Sequence, residues 1–238
     1  MNYSLTVLDW YAVAPGMNHA EAWNAWASLP EFMGFSGEIE KSQRIPMMSA
    51  RRMSPVSRIA VEAGLALLEK HQIARAVFTS RHGELERTYK ILQILAQEQQ
   101  VSPTDFSMSV HNTAAGWLTI TAKNPLPVTS LAAGKDSFQQ GLIEARAMLS
   151  ADEGEKVLLV DFDGVVPELY GNDFAQEYAP YCVALVLTLG EQFTCRRSGE
   201  ASEEPVPQSL SFLRNFLLNN KTFCIAGEVG QWQWNRKD

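Results

Sequence analysis

The pair of aspartates at positions 161 and 163 offers the most direct candidate chemistry in this sequence. They lie in VLLVDFDGVV, residues 157–166, which is typical of a buried strand that runs into a loop. At the end of a parallel strand, one carboxylate of such a pair can attack phosphorus while the second acts as general acid and base. A magnesium ion would then need further carboxylates. The only aspartates that follow are Asp173 and Asp238, and neither forms an acidic pair.

This pattern resembles the nucleophile loop of haloacid-dehalogenase-type phosphatases. In that family the motif lies near the N-terminus, and paired aspartates from a later strand complete the metal site. Here the motif lies two-thirds along the chain. One interpretation is a phosphatase that uses Asp161 and Asp163. The other, which the departures favour, is a core strand whose following loop carries two capping or solvated aspartates.

Cysteine and histidine offer little further chemistry. The three cysteines, Cys182, Cys195 and Cys224, lack CxxC spacing, and the four histidines are scattered. Neither a disulfide framework nor a transition-metal site is expected, and the sequence predicts no cofactor. A reducing cytoplasm is the expected compartment.

Charge and length exclude other classes of protein. The chain has 238 residues and a formal net charge of −7, which argues against a general nucleic-acid binder. The longest apolar runs, such as residues 183–189, are too short to span a bilayer. The first residues lack the basic and apolar regions of a signal peptide, so none is expected.

Strand and helix patterns alternate along the chain, which predicts a layered α/β domain. We expect one domain over residues 1–238, with a polar loop at about 190–207 and a helix plus a Trp-rich tail at 208–238. Strands are predicted at residues 3–10, 74–80, about 107–110, 157–160 and 181–189. Helices are predicted at about residues 19–29, 55–71, 84–99, 135–151 and 208–218.

The stretch from Asn112 to Leu149 resembles the β-ketoacyl synthase family, whose fold is that of the thiolases. The resemblance covers roughly residues 1–190. It implies half of a layered thiolase-like fold, a mixed five-stranded sheet with helices, and we expect the C-terminal half to be absent. The matching positions are Asn112, Gly116, Pro125, the strand at 128–130, Ala132 and Gly141.

Two departures from the family bear on activity. Ala133 stands where the family has its nucleophilic cysteine, and a methyl group cannot attack a thioester. No histidine follows His111, although the family's second half supplies two histidines, or a histidine and an asparagine. The chain is therefore predicted not to be an enzyme. Lys135 and Asp136, just after Ala133, are expected either to pair with each other or to be solvated.

The resemblance implies a partner role. Ketosynthase-like subunits without the cysteine are chain length factors, which pair with an active β-ketoacyl synthase and help shape its acyl tunnel. The short form is similar to those of aryl-polyene clusters, where acyl carrier protein would be met through the complex. The strand at 127–131 would be the seam with the partner. The residues expected at the interface or tunnel are Asn112, Trp117, Leu126, Val128, Ser130, Ala133 and Phe138.

An isolated half-fold is expected to leave one sheet or helix face uncovered, and an exposed apolar face of that kind usually marks an interface. Each apolar residue named above could equally be plain core. A vestigial homodimeric binding module with the thiolase fold is the remaining alternative.

Overall fold

The computed structural model describes residues 2–149, 154–173, 179–199 and 206–237. Its strands are β1 (Asn2–Val13), β2 (Arg75–Thr79), β3 (Val128–Leu131), β4 (Val157–Asp163), β5 (Tyr181–Ser198), β6 (Thr222–Gly227) and β7 (Gly230–Arg236). Its α-helices are α1 (Ala20–Ala27), α2 (Met47–Ala50), α3 (Pro55–Leu68), α4 (Leu85–Ala96), α5 (Pro103–Ser107), α6 (Thr113–Ala122), α7 (Ser137–Met148) and α8 (Gln208–Leu217). Among these described residues, no helix is long and apolar enough to cross a membrane.

The described strands form one mixed sheet, as the resemblance to the β-ketoacyl synthase family implies. Its order is β3-β2-β4-β5-β7-β6, and β1 pairs with β5. Strand β2 runs parallel to β3 and β4, whereas β5 is antiparallel to β4, β1 and β7. The sheet has seven strands rather than the expected five, because β6 and β7 add a hairpin along the far end of β5.

The extra length of β5 corrects the predicted polar loop at 190–207. Strand β5 continues through Ser198. Burial alternates along its far half, where Phe193 and Cys195 are buried and Arg196 is exposed. This period of two is the mark of a half-buried strand. Residues 200–205 lie outside the described part.

The predicted strand at about 107–110 is also wrong. Helix α5 occupies Pro103–Ser107, and the chain then turns into α6. The Ser102 hydroxyl accepts a hydrogen bond from the Asp105 N–H, and Pro103 occupies the first turn. Both features start a helix, and here they outweigh the β-propensity of a short segment.

Helices cover both faces of the sheet. On one face, α3 and α6 pack on alternate sheet residues such as Phe78, Val160 and Ala184. Helix α3 begins where the sequence predicts, because the Ser54 hydroxyl caps it and Pro55 follows.

The other face carries α7, α1 and α8, which pack on the intervening sheet residues. We call residues 207–237, which contain α8, β6 and β7, the C-terminal unit. The Phe212 ring of this unit lies 5.6 Å from the Phe138 ring of α7 and 5.0 Å from Trp234. Trp232 and Trp234 are both buried in the same core. The expectation of an uncovered helix face is therefore wrong on the α7 side, because the chain covers that face itself.

Candidate functional site

Strand β3 has an open outer edge. In the described residues it pairs only with β2, from Ala76 opposite Val128 to Thr79 opposite Leu131. The carbonyls of Pro127 and Leu131 accept hydrogen bonds from the N–H groups of Ala76 in β2 and of Ser80 just after it. Because neighbouring residues of a strand direct their backbone groups to opposite sides, Val128 and Ser130 present their N–H and C=O groups to the open edge.

A tight turn joins β3 to α7 and contains the predicted nucleophile position. Ala133 is half-buried, and Gly134 follows with φ +58, a left-handed conformation that glycine adopts readily. The Ala133 N–H donates to the Ser137 hydroxyl at 2.9 Å, and that hydroxyl donates to the Gly134 carbonyl at 2.8 Å. Ala133 therefore lies just before a helix start, where a thiol would be activated, but it carries a methyl group.

The other predicted interface residues are divided between surface and core. Asn112 is exposed at the start of α6, and its side chain does not cap the helix. Trp117 and Leu126 are buried in the α3-side core, and Phe138 is only 2% exposed beneath the C-terminal unit. The edge itself thus brings together Val128, Ser130 and Ala133. Trp117, Leu126 and Phe138 are buried within this chain. They can therefore affect an interface only by supporting the surface residues above them.

Sequence reasoning missed a set of exposed apolar side chains in the connection between β2 and β3. Helix α4 buries only Ile91, while Leu92 and Leu95 are about half exposed. Leu92 and Leu95 recur at helical spacing with the half-buried Leu85 and Tyr89, a signal that could have identified this face of α4. The exposed members of the set are Leu92, Leu95, Phe106, Val110 and Ile120.

The Asp161 carboxylate is enclosed by hydroxyl groups. Thr79 Oγ1 donates to Oδ1 at 2.6 Å, and Ser209 Oγ donates to Oδ2 at 2.5 Å, with the Tyr181 hydroxyl 3.5 Å away. Burial raises the pKa of Asp161 to about 7, although these donors act in the opposite direction. Asp161 thus joins β2, β4, β5 and α8.

Asp163 has a similar structural role. It accepts hydrogen bonds from the Ser80 hydroxyl and from the N–H groups of Arg81 and His82, at 2.6, 3.1 and 2.9 Å. Both aspartates are buried and their oxygens are engaged within the chain, so neither is free to attack a phosphoryl group. This geometry contradicts the phosphatase interpretation: Asp161 joins β2, β5 and α8, and Asp163 holds the β2–α4 loop in place.

Asp136 is buried, which corrects the expectation of an ion pair with Lys135 or a solvated carboxylate. Its oxygens accept hydrogen bonds from Gln208 Nε2 at 2.8 Å, Trp232 Nε1 at 3.0 Å and the Glu228 N–H at 3.3 Å. Lys135 is exposed. The turn after Ala133 is therefore attached to the C-terminal unit.

Comparison with known proteins agrees with this architecture. The family model described as "Beta-ketoacyl synthase, N-terminal domain" matches residues 23–235. No curated protein sequence matches the chain. A chain in the structure of the ketosynthase ApeO in complex with its chain length factor ApeC, from Xenorhabdus doucetiae, is 47% identical with a TM-score of 0.92. The match covers 98% of this chain and 100% of that chain, so the two have nearly the same length.

More distant structures share the fold alone. The ishigamide ketosynthase/chain length factor is 15% identical, with a TM-score of 0.63 over 82% of this chain and 68% of that chain. A β-ketoacyl synthase from Burkholderia phymatum STM815 is 12% identical, with a TM-score of 0.58 over 92% of this chain and 71% of that chain. The predicted resemblance and the thiolase-like fold are both confirmed. This chain belongs to the β-ketoacyl synthase N-terminal domain family.

Proposed function

We propose that this chain is a chain length factor, a non-catalytic subunit that pairs with an active β-ketoacyl synthase and shapes its acyl tunnel. The observation that carries the proposal is the open edge of β3 directly before Ala133. It is supported by the 47% identity, over 98% of the chain, to a chain of a complex between a ketosynthase and its chain length factor. Aryl-polyene or related type II biosynthesis is the proposed context.

The non-catalytic role follows from the residues at the turn. Condensation needs a thiolate to hold the acyl group, and Ala133 has only a methyl group there. The partner's cysteine would carry the acyl chain, and acyl carrier protein would deliver it to the complex.

The interface would combine backbone pairing with apolar contact. An exposed strand edge is a template for a strand from another chain, and Val128 and Ser130 already present their backbone groups outward. Exposed leucine and phenylalanine side chains of α4 and α5 would be buried by the same partner, because apolar surface of this kind favours association. The partner's tunnel would then be bounded by this chain on one side.

The cytoplasm is the proposed location. All three cysteines carry free thiols, and Cys224 is exposed, which suits a reducing compartment.

Co-expression with an active β-ketoacyl synthase from the same genome tests the proposal. A tagged chain is expected to co-purify that ketosynthase in a 1:1 complex, measured by native mass spectrometry. A stable monomer that leaves the ketosynthase unbound would contradict the proposal. A homodimer in the presence of excess ketosynthase would instead favour the binding-module alternative.

A further inference from the structure

Asp136 connects two parts of the fold that the sequence places 72 or more residues apart. Its carboxylate accepts hydrogen bonds from the first residue of α8, from the turn between β6 and β7, and from β7 itself. All three donors are neutral N–H groups, and Asp136 is only 6% exposed. A buried carboxylate is expensive unless its oxygens are satisfied, so this network holds its geometry tightly.

The residues around the Asp136 carboxylate pack closely against it. Gln208 Nε2 also donates to the Ala226 carbonyl at 2.7 Å, which fixes the amide beside Asp136. A Cβ at Gly227 would lie 2.8 Å from Asp136 Oδ1 and 2.7 Å from Trp232 Nε1. Only glycine therefore allows the hairpin to approach the carboxylate this closely.

On the other side, Asp136 ends the turn that follows β3. Its N–H donates to the Ala133 carbonyl at 3.1 Å, and α7 begins at the next residue. A shift of the carboxylate would therefore move the turn at 132–136, which lies at the end of the open β3 edge.

We infer that Asp136 is a positioning residue: through it, the C-terminal unit sets the turn at 132–136 in the shape that the ketosynthase partner binds. This inference rests on the proposed function for its partner, but the coupling itself is a property of the isolated chain. The C-terminal unit then covers α7 and also holds the turn beside the open β3 edge in its binding shape.

The test compares Asp136→Asn with two matched controls in the full chain. Asp136→Asn keeps the shape but replaces one carboxylate oxygen with an NH2 group, which cannot accept the hydrogen bond that this oxygen receives. Glu228→Gln removes one negative charge from the same region through an exposed side chain. Ile225→Val makes a small cavity in β6 without changing the Asp136 donors, so it reports what loss of stability alone does.

Two readouts are measured for each variant: hydrogen exchange of residues 131–137 in the isolated chain, and affinity for the ketosynthase used in the co-expression experiment. Asp136→Asn is expected to speed exchange in the turn and to weaken binding by about tenfold, as loss of a charge-assisted hydrogen bond implies. Both controls should leave the exchange of the turn unchanged and should bind like the wild type.

Equal exchange and equal affinity in Asp136→Asn and Glu228→Gln would overturn the inference. The same holds if Ile225→Val weakens binding as much as Asp136→Asn does, because stability alone would then explain the effect. If Asp136→Asn does not fold, Trp232→Phe and Gly227→Ala replace it: the first removes one donor, and the second displaces the carboxylate. If the wild type binds no ketosynthase, the proposed function fails, while the exchange data still decide the coupling.

Discussion

The Ser209 hydroxyl of α8 donates a 2.5 Å hydrogen bond to the buried Asp161 carboxylate of β4. This contact anchors the C-terminal unit to the centre of the sheet. The aspartate pattern that suggested phosphoryl transfer therefore has a structural role. Asp161 links the sheet to the C-terminal unit, which covers α7.

Asp161 is expected to make the stability of the chain depend on pH. Its pKa is raised from 3.8 to about 7 in the fold, so the folded state binds a proton more tightly than the unfolded state. Stability from this group is greatest below pH 4 and declines as the pH rises through 7. Between pH 5 and pH 8 the free energy of unfolding should fall by about 2–3 kcal/mol on this account.

Urea denaturation of the wild type and Asp161→Asn at several pH values measures this slope. The variant, which cannot titrate at this position, should lose most of the decline. Asp9→Asn is a suitable control, because the pKa of Asp9 is lowered by its hydrogen bonds to His71 and the Trp10 N–H, although its partial burial opposes this. An equal decline in wild type and Asp161→Asn would show that Asp161 does not titrate in this range.

Phe212 should be a main contributor to stability, because it joins α7 to the C-terminal unit. Its ring contacts Phe138, Phe193, Phe223 and Trp234. Phe212→Ala should lower the free energy of unfolding by about 3–5 kcal/mol. Leu218→Ala, at the exposed end of the same helix, should change it by less than about 0.5 kcal/mol. Similar effects of the two changes would mean that the C-terminal unit adds little to the core.

Helix α3 could be predicted from the sequence, whereas the full length of β5 could not. Helix α3 carries its own start signal, Ser54 followed by Pro55, and its apolar face recurs at helical spacing. The far half of β5 lies between β1 and β7, and β7, a strand more than thirty residues later, pairs with Phe193 through Ser198. Its outward-facing glutamine, threonine and arginine residues are typical of a loop unless that pairing is known.

The same contrast between local and distant signals holds for the candidate site. The turn after β3 could be located through the family resemblance, and the structure places Ala133 in that turn. The burial of Asp136 could not be predicted, because its three donors come from the distant C-terminal unit. Phe138 was expected at the partner interface, because nothing in the neighbouring sequence indicates that Phe212 covers it.

The exposed leucines of α4 should contribute to partner binding and not to folding. Leu92→Gln combined with Leu95→Gln should change the free energy of unfolding by less than about 0.5 kcal/mol per site. The same double change should weaken the ketosynthase complex by about tenfold, because apolar surface is no longer buried there. Isothermal titration measures the affinity, with Gln93→Ala on the same helix as control. Unchanged affinity in the double variant would remove α4 from the interface.

A cysteine at position 133 can report whether the partner covers the turn. In Ala133→Cys, the thiol lies before a helix start and should be alkylated by iodoacetamide in the free chain. Addition of the ketosynthase should slow that alkylation, measured by peptide mass spectrometry. Cys224, exposed on β6, serves as an internal reference whose alkylation should not change. Equal rates at position 133 with and without ketosynthase would show that the turn stays uncovered.

The affinity of Ser130→Pro for the ketosynthase tests the central claim most directly. Proline removes the N–H that Ser130 presents at the open edge and leaves the β2 hydrogen bonds of Pro127 and Leu131 in place. Ser130→Ala keeps that N–H and serves as the matched control. If β3 pairs with a partner strand, Ser130→Pro should bind at least about tenfold more weakly while Ser130→Ala binds like the wild type. A folded Ser130→Pro chain that binds the ketosynthase as tightly as the wild type would contradict the account.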